Sequence, residues 1–228
     1  MYIISNNLIS KTIEMEQGDP MNIYLIRHGR QSSPLCNVNV SLAEEGRKQA
    51  ELLGKRLSGY HIDGLYSSHL IRATETAQIV NKYINQEHII RGDLREISFG
   101  ILEGYSDEYI EEHFGDFQLE QMKLEEDIPY PGGECGMDVF TRAMFAMDEI
   151  RKSGKKNVVV VTHGGVIRAL LAGLLETNMS KKLLFAVSLE NCSITQLIYD
   201  EEYERFYLQR FNDYGHLEEE PSLLRRNW

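Results

Sequence analysis

Two stretches of this 228-residue chain end an apolar run in the pair His-Gly. The first is Ile23-Tyr24-Leu25-Ile26-Arg27-His28-Gly29, and the second is Val158-Val159-Val160-Val161-Thr162-His163-Gly164-Gly165. Arg27 precedes one of these histidines, and a further arginine, Arg72, stands where Ser67-Ser68-His69-Leu70-Ile71-Arg72-Ala73 turns into a helical pattern. Two histidines, two or three arginines and a carboxylate at one place suit phosphoryl transfer through a covalent phosphohistidine. A neutral imidazole nitrogen attacks phosphorus in line, and the intermediate splits one hard displacement into two easier ones. Charge on the transferring oxygens needs preorganised donors, which guanidinium forks supply bidentately. The same cations depress a histidine's pKa and keep it nucleophilic near neutral pH. An alkoxide leaving group also needs a proton, which a carboxylic acid of raised pKa can donate before activating water as carboxylate.

That chemistry requires both histidines at one edge. Apolar, β-favouring runs bounded by Gly and polar residues are consistent with buried parallel strands, and open α/β sheets bind ligands beyond the carboxyl ends of their strands. If the two strands share a sheet, their imidazoles share a crevice. Taken singly, His28 also reads as a strand cap and Arg72 as a helix-surface arginine. Arg72 falls in the first turn of its helix, beside backbone amides that favour anions.

The remaining pattern supplies the scaffold. Residues 30–40 read as a surface loop over a site. Ser41-Leu42-Ala43-Glu44 has capping-box form and predicts a helix with Leu42, Ala43, Ala50, Leu53 and Leu57 on its apolar stripe. Residues 62–66 predict a strand leading into a helix whose buried face carries Leu70, Ala73, Ala77, Val80 and Ile84, and residues 88–91 predict another strand. Residues 105–127 hold nine carboxylates against Lys123 alone and predict an acidic helical lid or flank over about 105–130. A helix is expected over 134–151, and an antiparallel hairpin over 193–199 and 205–211 closes one sheet edge. The tail from Gly215 is charged and is expected to pack superficially. The fold class is therefore α/β in three layers: a mostly parallel central sheet flanked by helices, with the C-terminal hairpin at one edge.

Residues 1–20 read as an N-terminal extension, with an ordered arm on the sheet edge as the competing reading, and residues 21–228 as one catalytic domain. Gln17-Gly18-Asp19 can be encoded by a purine-rich ribosome-binding sequence, so Met21 reads as a second start. A net charge of −11 disfavours nucleic acid and anionic membranes as partners. No apolar run approaches the roughly 20 residues needed to span a bilayer. Cys36, Cys135 and Cys192 lack metal or redox spacing, which points to the cytoplasm. No metal cage such as His-Glu-x-x-His is present, and no metal or cofactor is expected.

Arg27-His28-Gly29 after a strand, Ser67-Ser68-His69-Leu70-Ile71-Arg72-Ala73, Leu94-Arg95-Glu96, Glu103-Gly104, Pro131-Gly132-Gly133-Glu134 and Val161-Thr162-His163-Gly164-Gly165, in that order, resemble the histidine phosphatase superfamily and its phosphoglycerate mutase-like branch. The resemblance runs from Met21 to about Leu217. It implies that His28 is the nucleophile, His163 the second pocket histidine and Glu96 the proton donor. It further implies that Arg27 and Arg72 clamp the phosphate, with Gly164 beside it, and that no metal takes part. The departures fall on substrate recognition: Arg30 stands where the family often has Glu, Ser33-Pro34 where it often has Trp-Asn, and His69 where it usually has Pro. Arg30 is expected to hold a second anionic group of the substrate, and His69 reads either as pocket-lining or as a satisfied turn residue.

The leading function is a metal-independent phosphatase that releases inorganic phosphate from a small phosphorylated metabolite. A mutase of the same family is the alternative, against which the short gap between Glu103-Gly104 and Pro131 counts. A phospho-ligand binding protein without turnover is the third. No strand is followed by a dinucleotide-binding glycine fingerprint, which excludes a nucleotide-dependent dehydrogenase. The sequence leaves the physiological substrate and the oligomeric state open.

Overall fold

The computed structural model describes residues 20–225. The expected extension lies outside the described residues, apart from exposed Pro20. In chain order the elements are β1 (Met21–Arg27), α1 (Glu44–Leu57), β2 (Gly64–Ser68), α2 (Ile71–Ile84), β3 (His88–Arg91) and α3 (Asp107–Met122). There follow α4 (Gly136–Lys152), β4 (Asn157–Thr162), α5 (Gly164–Leu174), β5 (Ile194–Asp200) and β6 (Arg205–Asp213).

Alternation of side chains across each strand divides the interior in two. Ile23 and Leu25 of β1, with Val158 and Val160 of β4, pack on Val139, Met147 and Ile150 of α4 and Ile167 and Leu170 of α5. Tyr24 and Ile26, with Val159 and Val161, pack on Ala50, Leu53 and Leu57 of α1 and Ala73, Ala77 and Val80 of α2. Strands apolar on both faces need cover on both, and this gives the three layers expected from the sequence. The sheet order is β3-β2-β4-β1-β5-β6. The first four strands are parallel, and the β5–β6 hairpin runs antiparallel at one edge.

Register places the chemistry. Ile26 pairs with Val161 and Arg27 with Thr162, so His28 and His163 are the next residues on adjacent parallel strands. The His28 amide donates to the Thr162 carbonyl at 3.0 Å and carries the pairing one residue past the strands. On the other side of β4, Ser67 pairs with Val161, and α2 begins a short turn later, which brings Arg72 to the same edge. The chain after His28 lies directly on α1. The Ala43 amide donates to the Arg30 carbonyl at 2.8 Å, and a Cβ on Gly46 would sit 2.1 Å from that oxygen, so only glycine permits the approach.

Two local expectations are corrected. α1 has no side-chain cap: it starts at Glu44 after an extended Ala43 (φ −70°, ψ 169°). Ser41 is drawn away because its carbonyl accepts from Ser32 and Leu42 bridges Gln31, while the Leu42 amide donates to Glu75 Oε2 of α2 at 2.7 Å. A tertiary contact thus replaces the capping box. The tail, too, is not superficial. Leu217 and Leu223 are buried, and the Leu223 carbonyl accepts from Arg30 Nη2 and Gln49 Nε2, each at 2.8 Å. Two largely enclosed donors need an acceptor, and the tail supplies it.

The acidic flank is α3, whose start is capped by Ser106 and which buries only Ile110. Its carboxylates face solvent, and Asp127 beyond it pairs with Lys182. Among the described residues no helix is long and apolar enough to cross a membrane.

Candidate active site

His28 is held in one tautomer. Its Nδ1 lies 2.7 Å from the Gly29 carbonyl, which can only accept, and its Nε2 lies 3.1 Å from Arg72 Nε, which can only donate. Nδ1 therefore carries the proton and Nε2 keeps its lone pair. Burial pushes the imidazole well below the usual histidine range, and the charges of Arg72 and Arg27 push it further. Arg72, only 2% exposed, spends its other nitrogens on Asn37 Oδ1 at 2.8 Å and the Val38 carbonyl at 3.1 Å. The Asn191 side chain donates to the His28 carbonyl at 2.8 Å and fixes the strand tip from below.

The His163 ring centre is 5.0 Å from that of His28. Burial, then His28, Arg72 and Arg27, hold it well below the ordinary pKa as well. Both its ring nitrogens, and Nε of Arg27, are buried without a hydrogen-bond partner among the described residues. Orphaned polar atoms of this kind are costly, and a ligand with several acceptor oxygens would satisfy the Arg27 Nε–H and the one N–H of the neutral His163 ring together. Burial pushes the Arg27 guanidinium down to about 9, with Arg225 adding to the effect. One Arg27 nitrogen donates to the Leu189 carbonyl.

Glu96 approaches from the loop after β3. Its Oε1 accepts from its own neighbour Ile97 at 2.9 Å and from the Gly165 amide, at the N-terminus of α5, at 3.0 Å. A Cβ on Gly165 would lie 2.5 Å from Oε1, so the second glycine of the His163 motif is what lets the carboxylate dock. The loop itself is gripped by Arg142 of α4, which donates to the carbonyls of Asp93, Arg95 and Glu96 at 2.7, 2.8 and 3.0 Å. Glu134 neutralises Arg142 at 2.8 Å and also binds Arg95, which explains the acid of the Pro-Gly-Gly-Glu motif as scaffold.

Arg27, His28, Arg72, Glu96 and Gly164 thus converge at the carboxyl ends of β1, β4 and β2, in a cleft of two lobes, with His163 wholly buried beside His28 and lining neither lobe. One lobe, of about 590 Å³, is lined by His28, Arg72 and residues 30–37. The other, of about 440 Å³, is lined by Gly164, Gly165, Arg168, Tyr130 and Leu189, and Arg27, Glu96, Phe99, Asp107 and Arg225 border both. The two substrate-recognition candidates are placed differently. His69 is exposed and lines neither lobe, because its turn points it outward past Gly92. Arg30 borders the cleft but donates to the carbonyls of Leu223 and Leu224. Cys36 also borders it, with burial pushing its thiol up to about 11, the state of an ordinary loop cysteine. Sequence reasoning missed Asn37, Arg142, Asn191 and Arg225. Only Arg142 carried a local signal, a charge next to the apolar stripe of α4.

The sequence pattern of the histidine phosphatase superfamily (branch 1) matches residues 23–214, and the chain belongs to that family. Its enzyme class is that of a phosphoric monoester hydrolase. Among its relatives is phosphoserine phosphatase 1 of Hydrogenobacter thermophilus, 30% identical over 71% of this chain and 79% of that protein. A metal-independent phosphoserine phosphatase of Arabidopsis thaliana is 34% identical over 78% of each. Among solved structures, a mycobacterial glucosyl-3-phosphoglycerate phosphatase superposes with a TM-score of 0.77 at 26% identity, over 85% of this chain and 99% of that one.

The buried histidines have a consequence for stability. An unfolded chain takes up their protons below about pH 6.5, whereas the folded chain, with both pKa values lowered, does not. Folding is thus unpenalised above that pH and loses about 1.4 kcal/mol per pH unit for each histidine as pH falls below it. Urea unfolding in phosphate-free buffer between pH 7 and pH 5 should show this slope, shallower in a His28→Gln/His163→Gln protein. Equal slopes would contradict the burial of neutral rings.

Proposed function

We propose that the protein is a metal-independent phosphatase that hydrolyses small phosphomonoesters through a phosphohistidine on His28. The observation that carries this reading is the fixed tautomer of His28, whose unprotonated Nε2, accepting only from Arg72, lies close to the orphaned Nε of Arg27 and ring of His163 and is released for attack when Arg72 turns to the phosphoryl oxygens. In the first step Nε2 attacks phosphorus, the P–O ester bond breaks, and the leaving oxygen takes a proton from the Glu96 carboxylic acid. The proton stays on Nδ1, donated to the Gly29 carbonyl, which steadies the ring as it gains charge. Arg27, Arg72 and His163 hold the transferring oxygens, with the α5 N-terminus at Gly164 adding its dipole. In the second step the Glu96 carboxylate takes a proton from water, the water oxygen attacks phosphorus, the P–N bond breaks and inorganic phosphate leaves. Donors come from the chain alone, so no step calls on a metal.

Hydrolysis is favoured over mutase transfer because the cleft is flanked between Glu103-Gly104 and Pro131 only by α3, kinked at Phe114, whose polar face is open to water. A mutase must keep water from its phosphohistidine while the substrate turns. The cysteines are all free, in keeping with a reducing cytoplasm.

Rapid-quench mixing with labelled substrate is expected to trap an acid-labile, base-stable phosphoenzyme in the wild type and none in His28→Ala, whose turnover falls by about three orders of magnitude or more. Glu96→Gln should lose about 10²- to 10⁴-fold on an alkyl phosphate and far less on p-nitrophenyl phosphate, whose leaving group needs little protonation. An active His28→Ala protein would sink the mechanism. Turnover should also persist in EDTA, and its loss with recovery on adding a divalent ion would refute metal independence.

A further inference from the structure

The two-step chemistry gives no part to Glu103-Gly104, a pair that stands out in the sequence. Gly104 takes φ +86°, a conformation that L side chains rarely adopt, and turns the chain back against the loop after His28. Its amide donates to the Cys36 carbonyl at 2.8 Å, and the Cys36 amide donates to the Tyr105 carbonyl at 2.9 Å. The same turn fixes the Glu103 carboxylate. Its Oε1 accepts from the Phe99 amide at 2.9 Å, from the Ser98 hydroxyl at 3.1 Å and from Asn37 Nδ2 at 3.0 Å.

That last contact decides which way the Asn37 amide points. With Nδ2 spent on a carboxylate, which can only accept, Oδ1 faces the other way and accepts from Arg72 Nη2 at 2.8 Å. The backbone agrees, since Asn37 sits at φ +46°, which asparagine tolerates better than most residues. The Val38 carbonyl is a second acceptor, 3.1 Å from Arg72 Nη1, and Asn39 pins the loop to α2 by accepting from the Ile71 amide at 2.9 Å. Glu103, Asn37, Arg72 and His28 thus form one line of hydrogen bonds that ends on Nε2 of His28. All three Arg72 nitrogens are engaged on neutral acceptors, and Nε covers the electron pair that must attack phosphorus.

We propose that Asn37, oriented by Glu103, is a positioning residue that parks Arg72 on the His28 lone pair in the free protein, and that an arriving phosphoryl group uncovers the nucleophile by drawing Arg72 away. Turning Nε toward the phosphoryl oxygens breaks the alignment that Asn37 and Val38 hold. The exchange is favourable because hydrogen bonds to a charged partner are roughly twice as strong as those between neutral groups. His28 is thereby covered until the group it attacks is in place. Parking also sets affinity, since a ligand that needs Arg72 free binds more weakly in proportion to the fraction of molecules in which it is free. This deepens the phosphatase reading and rests on it.

Two measurements read these consequences separately: calorimetric titration with inorganic phosphate, and the rate at which uncharged diethyl pyrocarbonate modifies His28, followed by peptide mass mapping. Asn37→Gly removes the amide and still permits the left-handed backbone. It should bind phosphate roughly two- to ten-fold more tightly than wild type, the worth of one hydrogen bond, and its His28 should react faster by a similar factor. Asn37→Ala should move both in the same direction. Glu103→Gln and Glu103→Ala carry the same charge, so the difference between them reads the hydrogen bond to Asn37. The alanine variant should bind phosphate more tightly and expose His28 more than the glutamine variant, which keeps an acceptor. Unchanged or weaker phosphate binding in Asn37→Gly, as a merely structural loop would give, or an unchanged rate at His28, would overturn the proposal while leaving the phosphatase reading intact. If wild type binds no phosphate, the phosphatase reading fails instead, and the His28 rates alone decide whether Asn37 parks Arg72.

Discussion

Everything at this site follows from the crowding of unpaired positive charge around two neutral imidazoles at the tips of adjacent parallel strands. Charge buried without a counter-ion is expensive, since each guanidinium loses hydration that no carboxylate replaces. The fold pays for it with cores on both faces of the sheet, where Ile23, Leu25, Ile26 and the four valines of β4 are wholly buried. The expense also defines the function. A site kept cationic, with no carboxylate ion-paired to its guanidiniums among the described residues, is preorganised for a dianion, and binding repays in one event the desolvation that folding left outstanding.

Precision within that charge comes from groups that never touch the reaction. Arg142 holds three carbonyls of the Glu96 loop, those of Asp93, Arg95 and Glu96, Glu134 holds Arg142, and Gly165 leaves room for the carboxylate to reach an α5 amide. Asn191 and Thr76 hold the other side, the first on the His28 carbonyl and the second accepting from the Gly29 amide at 3.0 Å. His28 and Glu96, the two groups proposed to react, are thereby each held by contacts from another element, as preorganised catalysis requires. The tail joins this arrangement through Arg30 and Gln49, which links the last residues of the chain to the loop after the first strand.

How much of this was legible in the sequence depended on the range of the interaction. His28 and His163 could be read because a strand, a histidine and a glycine are contiguous, and the continuous apolar runs already read as buried parallel strands. Arg72 was legible for the same reason, as a first-turn residue after a strand. The capping box at Ser41 misled because Glu75, more than 30 residues away, offered the Leu42 amide a carboxylate. Arg30 misled in a more instructive way: its charge was correctly read as a departure, but its partners are carbonyls nearly 200 residues further on. Arg225 could not be found at all, since nothing local distinguishes it from its neighbour Arg226 in a charged tail.

The central claim is that His28 is a neutral imidazole with its proton on Nδ1 and its lone pair on Nε2. Long-range ¹H–¹⁵N correlation spectra of histidine-labelled protein, assigned by comparison with His28→Gln and recorded from pH 8 to pH 5 in phosphate-free buffer, read that state directly. The structure predicts one pyrrole-type signal from Nδ1 and one pyridine-type signal from Nε2, unchanged through pH 6.5. Two pyrrole-type nitrogens near neutral pH, the signature of an imidazolium, or a proton on Nε2, would contradict it.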